Sequence, residues 1–252
     1  MTTETQAFQP AAPHDIAQEK IKFGEKFAYF FAAMNPLQVL ALVTSFLLIF
    51  YTDIVGLNPI HVGTLFLLAR IADGLSDPIM GYVIDHMPRT KFGKYRSLVI
   101  GGAILITINF LLLWFGRLWA PSGKLAVAYI TYLLLGFTFD VADIAKNSLL
   151  PVMTANPKER SSLGVFYGLA SVVSGLSIAI AAPIILGAGN SSLEAYTTVI
   201  LIVAGSVLLF GIVGGLGVRE RVIPVEEQTK HSIQEYLNLF NHMPVIANLG
   251  FG

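Results

Sequence analysis

The sequence predicts an all-α polytopic membrane protein with six transmembrane helices. Three observations carry that prediction. Hydrophobic residues make up 54% of the 252 and charged residues only 13%, with a mean hydropathy of +0.68. Soluble domains carry about 25% charge, so a surface this poor in charge cannot face water all round, which excludes a globular cytosolic enzyme. The apolar residues also fall in six blocks near the roughly 20 residues that a hydrocarbon core demands. Finally, the basic residues gather in alternate loops, as spans of alternating direction require.

Residues 1–26 read as a cytoplasmic N-terminal tail. They are polar, carry Pro10 and Pro13, and lack the apolar core and cleavage site of a signal peptide, so the first span itself directs insertion. A six-helix transmembrane bundle follows over 27–217. Its first span is expected at 27–51, with a kink at Asn35-Pro36, where proline removes one backbone hydrogen bond. The second lies at 60–85, the third at 98–119 and the fourth at 124–150. The fifth, 161–188, carries Ser171, Ser174, Gly175 and Ser177 at helical spacing, a pattern for close helix packing. The sixth covers 193–217. Residues 218–252 read as a cytoplasmic linker with a short amphipathic helix from Gln234 to Asn241. From Pro244 onward the chain is apolar again, as at the start of a truncated seventh helix.

Charge places the ends. With the N-terminus in the cytoplasm, twelve Lys and Arg lie inside and only Arg117 and Lys124 outside. Both termini are then cytoplasmic, in a multi-pass protein of the cell membrane. Net charge is +0, which gives no electrostatic footprint for nucleic acid. Cysteine is absent, and the five histidines show no metal-ligand spacing.

Six charged residues fall inside spans: Arg70, Asp73 and Asp77 in the second, Asp140, Asp143 and Lys146 in the fourth. Each costs about 2.5–3.5 kcal/mol at the bilayer centre on insertion scales, so they are expected to face one another or water. Arg70, Asp73 and Asp77 share one helix face by their i, i+3, i+7 spacing, and Asp140, Asp143 and Asn147 repeat it. At about 1.5 Å per residue, Asp77 lies roughly 26 Å along its span and Asp140 roughly 24 Å along its own. The two sets can therefore meet at one depth. Fully ionised, the six leave a net charge of −2, which a monovalent cation or a proton would reduce; no other metal is expected. A plain salt-bridge network, Arg70 with Asp73 and Lys146 with Asp143, is the other reading, although it leaves two acids over. The short loop Asp85–Arg96, with Arg89, Gly93 and Lys94 between, reads as a structured turn clamping helix ends, with a gating or structural role. Asp53 reads as a solvated loop acid, and Tyr29, Phe30, Phe31 and Tyr167 as packing or lipid-facing aromatics more than cavity residues.

The string LARIADGLSDPIMG (68–81) followed by DHMPRTKFGKYR (85–96) resembles the second helix and following loop of the glycoside-pentoside-hexuronide:cation symporters. These form the melibiose-permease-like branch of the major facilitator superfamily. FYTDIVGL (50–57) and ADIAKNSLLP (142–151) are similar to that family's first-helix end and fourth-helix segment. The resemblance implies a fold of two six-helix halves with the solute site between them, this chain matching the N-terminal six-helix bundle. It implies carboxylates of the cation site at Asp73 and Asp77, for Na+, Li+ or a proton, and a solute-binding acid at Asp143. Asp140 stands where the family usually completes the cation site with a hydroxyl. Asn147 stands in place of a tryptophan that stacks on sugar. The first-helix sugar-binding acid is missing, leaving Asn35 and Gln38 as the nearby polar residues, and the fifth helix lacks the family's basic contact.

The expected function is cation-coupled secondary transport of a sugar, glycoside or related polar organic solute, with no enzyme activity and no cofactor beyond the coupling cation. The partners expected are the solute, the bilayer and either a missing C-terminal six-helix half or a second copy. A truncated half that does not transport is the alternative. An intramembrane aspartyl protease is a remote one, because the Gly-x-Gly-Asp type motif is absent and Arg70 and Lys146 would disturb a shared-proton dyad.

Overall fold

The computed structural model describes residues 20–90, 92–116 and 123–222, and gives only the backbone of Leu75, Asp77, Pro78 and Asp85. The expected amphipathic helix at 234–241 and the seventh-helix start lie outside the described residues. Within them the chain is helical throughout, with no strand and one isolated bridge between Thr90 and Gly93. The helices are α1 (Phe23–Ile49), α2 (Pro59–His86), α3 (Tyr95–Phe115), α4 (Lys124–Met153), α5 (Pro157–Ala188) and α6 (Leu193–Gly217).

Local sequence sets several starts. Asn58 and Asn156 each accept a backbone N–H from two residues on, and each is followed by a proline at the first helical position. Ser192 accepts from the Ala195 amide in the same way. Proline suits that position because its missing N–H would have been unpaired there anyway. Inside α1, Pro36 leaves the helix continuous from Phe23 to Ile49, and a π-helical turn, Phe50–Ile54, ends it.

The helices overrun the apolar blocks. α1 begins at Phe23, inside the segment that composition assigns to the tail, and α5 begins at Pro157 rather than 161. The reason is pairing at the ends. Glu25 meets Arg221 at 2.7 Å, and Lys26 meets Glu159 at 2.8 Å, so charged turns extend both helices beyond the hydrophobic run.

Five of the helices among the described residues are long and apolar enough to cross a membrane. α2 is not in that group, because Arg70, Asp73 and Asp77 dilute its centre. Among the described residues, length and composition alone thus support five of the six expected spans. The assembly is that of a multi-pass membrane protein.

α1 packs on α5 and α6, α3 on α4 and α6, and α2 chiefly on α4. At one end Phe50 packs against Trp114 and Tyr196, with ring centroids 4.7 and 5.1 Å away. Small residues close the α1–α6 contact, where a Cβ on Gly214 would lie 2.5 Å from the Ala32 nitrogen. Lipid offers apolar side chains no hydrophobic drive, so this close backbone approach is what holds helices together.

Candidate functional site

The α2–α4 contact brings acids from two helices together. Asp73 sits over Gly136: a Cβ on that glycine would lie 2.6 Å from the Asp73 Oδ1. One turn along, the buried Ser76 hydroxyl lies 3.3 Å from Asp140 Oδ2 and 3.2 Å from the Asp73 carbonyl. Arg70 reaches the other Asp73 oxygen at 3.7 Å, with side chains 69% and 37% exposed. At that exposure and distance the pair is weak. The arrangement offers hard oxygen donors from both helices, the chemistry that Na+, Li+ or a proton takes. Asp77 falls in the same stretch of α2, with its side chain outside the described atoms. Among the described residues, no three His, Asp or Glu side chains converge on a point that could hold a metal ion.

A second polar cluster lies further along α4. Lys146 is 1% exposed and pairs with Asp143 Oδ1 at 2.6 Å. Asn147 donates to the other Asp143 oxygen at 2.8 Å. The Lys146 ammonium also stands 4.7 Å from the centre of the Tyr167 ring on α5. Tyr29 of α1 is buried in the same cluster, with Tyr167 packed against it. Asp143 is therefore held through both oxygens by neighbours three and four residues on, while 28% of its side chain stays open. An ionised carboxylate fixed in this way can accept from hydroxyl groups of a polar solute.

Asn35 and Gln38 do not join either cluster. The Asn35 amide donates to the Val207 carbonyl at 2.6 Å, and Gln38 accepts from Ser206 at 2.8 Å; both are buried against α6. Their polarity is used here in packing α1 on α6.

The loop after α2 is anchored. Gly93 has φ +103, a conformation that favours glycine. Glu220, beyond α6, accepts from the backbone N–H of Lys94 at 3.1 Å and of Arg96 at 2.8 Å. Arg96 in turn donates to the carbonyls of Gly215 and Leu216 at 3.1 and 3.0 Å. Arg89 is exposed, and the side chain of Asp85 lies outside the described atoms. Sequence reasoning missed Ser76, Gly136 and Glu220. The i+3 position of Ser76 after Asp73 was a usable signal; nothing local marked the other two.

The family model described as "MFS/sugar transport protein" matches residues 28–250. Three relatives illustrate the similarity. The chain is 32% identical over 193 residues to the glucuronide carrier protein homolog of Escherichia coli (strain K12), covering 75% of this chain and 42% of that protein. It is 31% identical over 231 residues to the isoprimeverose transporter of Lactiplantibacillus pentosus, covering 90% and 47%. It is 35% identical over 173 residues to the inner membrane symporter YicJ of Escherichia coli (strain K12), covering 67% and 37%. The chain thus spans less than half the length of these relatives.

Proposed function

The chain belongs to the MFS/sugar transport protein family, and from that membership and the α2–α4 acids we propose a role in cation-coupled solute transport. It is a transport protein and not an enzyme. The solute is a sugar, glycoside or related polar organic molecule, and the coupling ion is Na+, Li+ or a proton. The chain supplies the N-terminal six-helix half, with α2 as its second span despite its charges. Both termini are cytoplasmic, in the cell membrane. A C-terminal half or a second copy completes the solute site.

The observation that carries this reading is the meeting of Asp73, Ser76 and Asp140 across two helices. Carboxylates in a membrane interior are costly unless neutralised, and a bound cation or proton supplies that neutralisation. Cation binding at Asp73, Asp77 and Asp140 raises solute affinity at Asp143 and Asn147, and by linkage the solute raises cation affinity equally. The Lys146–Asp143 pair is already neutral and stays outside the ion cycle. Relatives named for a glucuronide, for isoprimeverose and for symport support the solute class and the coupling.

Uptake of labelled glycosides into vesicles, driven by Na+, Li+ or proton gradients, tests the reading in a transporter that contains this chain. Stimulation by one ion, lost in Asp77→Asn and Asp140→Asn, is expected. Uptake equally stimulated in both variants would refute the assignment.

A further inference from the structure

We infer that Glu220 is a positioning residue that locks the α2–α3 loop to the exit of α6, so that this loop moves with α6 and does not gate by itself. The inference is independent of the solute.

Two helix ends lack charged caps of their own. Lys94, at the N-cap of α3, makes no side-chain capping bond, and the first turn of α3 holds no acid. α6 ends at Gly217 with no basic residue in its last turn. Free amides at a helix start favour an anion, and free carbonyls at a helix end favour a cation. Each helix receives that group from the other. The Glu220 carboxylate bridges the amides of Lys94 and Arg96 with one oxygen on each. The Arg96 guanidinium covers the carbonyls of Gly215 and Leu216. Because both bonds at each end are charge-assisted, they are stronger than neutral ones.

Gly93 fixes the fit. A Cβ there would fall 2.6 Å from Oε1 of Glu220, so any larger residue at this φ of +103 would push the carboxylate from its place. The segment carrying Glu220 is itself tied down on both sides. Val218 is fully buried. Arg221 pairs with the buried Glu25 of α1 at 2.7 Å, and the amides of Arg221 and Val222 both donate to the Val152 carbonyl, at 2.8 and 2.9 Å, near the end of α4. Five consecutive residues, 218–222, therefore join the ends of α1, α3, α4 and α6. A loop held in this way cannot swing without breaking the joint.

Hydrogen–deuterium exchange on the 252-residue chain in detergent micelles tests the inference. In Glu220→Ala, peptides covering 92–97 are expected to exchange roughly a hundredfold faster, the scale of two lost charge-assisted bonds, with α4 and α5 unchanged. Glu220→Gln keeps one acceptor oxygen and is expected to fall between wild type and alanine. Gly93→Ala keeps the carboxylate but fills its place, and is expected to open the same peptides. Should Glu220→Ala not fold, the other two variants carry the test. Unchanged exchange at 92–97, or equal acceleration in every helix, would overturn the inference.

Discussion

The Ser76 hydroxyl of α2 lies 3.3 Å from Asp140 Oδ2 on α4 and 3.2 Å from the Asp73 carbonyl of its own helix. Its single proton is shared between an acid on the facing helix and the backbone beside an acid on its own. That geometry ties Asp140 to α2 one turn from Asp73. α4 is also the helix against which α2 chiefly packs among the described residues, so the acids and the α2–α4 contact respond to the same changes.

Gly136 is the point where Asp73 reaches α4. Gly136→Ala places a methyl 2.6 Å from Asp73 Oδ1, and the carboxylate must turn away. Cation affinity is expected to fall about tenfold, the effect of roughly 1.4 kcal/mol, with little loss of stability. Thermal unfolding of the purified chain with and without Na+ or Li+ reads both quantities at once.

Lys146 and Asp143 form a buried pair in which one partner is almost fully enclosed. Lys146→Met leaves Asp143 without its counter-charge, a change that costs about 3–5 kcal/mol for a fully buried pair and less here because Asp143 is partly open. The double variant Lys146→Met, Asp143→Leu is expected to be more stable than Lys146→Met alone. Denaturation midpoints in mixed micelles compare the two directly.

Asn35 separates packing from solute recognition. Asn35→Ala removes the 2.6 Å bond to the Val207 carbonyl, which lies inside α6 and keeps its helical bond, and stability is expected to drop by about 0.5–1.5 kcal/mol. Solute KM in the assembled transporter is expected to stay within about twofold, within the smallest free-energy differences such contacts produce. A large KM change with unaltered unfolding would show that Asn35 touches solute after all.

Gly214 faces backbone, not a movable side chain. A Cβ there would lie 2.5 Å from the Ala32 nitrogen and 2.6 Å from its Cα, so α1 and α6 must separate. Gly214→Ala is expected to destabilise by about 1–3 kcal/mol. Circular dichroism during heating, with Gly168→Ala as the control in open space, measures it.

Much of this was legible one residue at a time. The helical blocks followed from apolar runs, which placed the starts of α2 and α5 at 60 and 161; the Asn-Pro pairs at Asn58 and Asn156 that set the observed starts are local signals as well. The partners of Arg70 and Lys146 followed from i, i+3 spacing, because that distance is fixed within any helix. The contacts of Asn35 and Gln38 were not legible, for the opposite reason. A polar residue in a span announces that it needs a partner, but only the packing of α6 on α1 says which.

The sequence by itself therefore determined what is local: a membrane environment, helices, their start signals and the ion pairs within one helix. Tertiary structure alone decided what joins helices distant in the chain. The seating of Asp73 on Gly136, the capping of α3 by Glu220 and the turn of Asn35 toward Val207 each depend on residues at least 60 positions apart. Periodicity reports which face of a helix is polar, but not which neighbour that face meets.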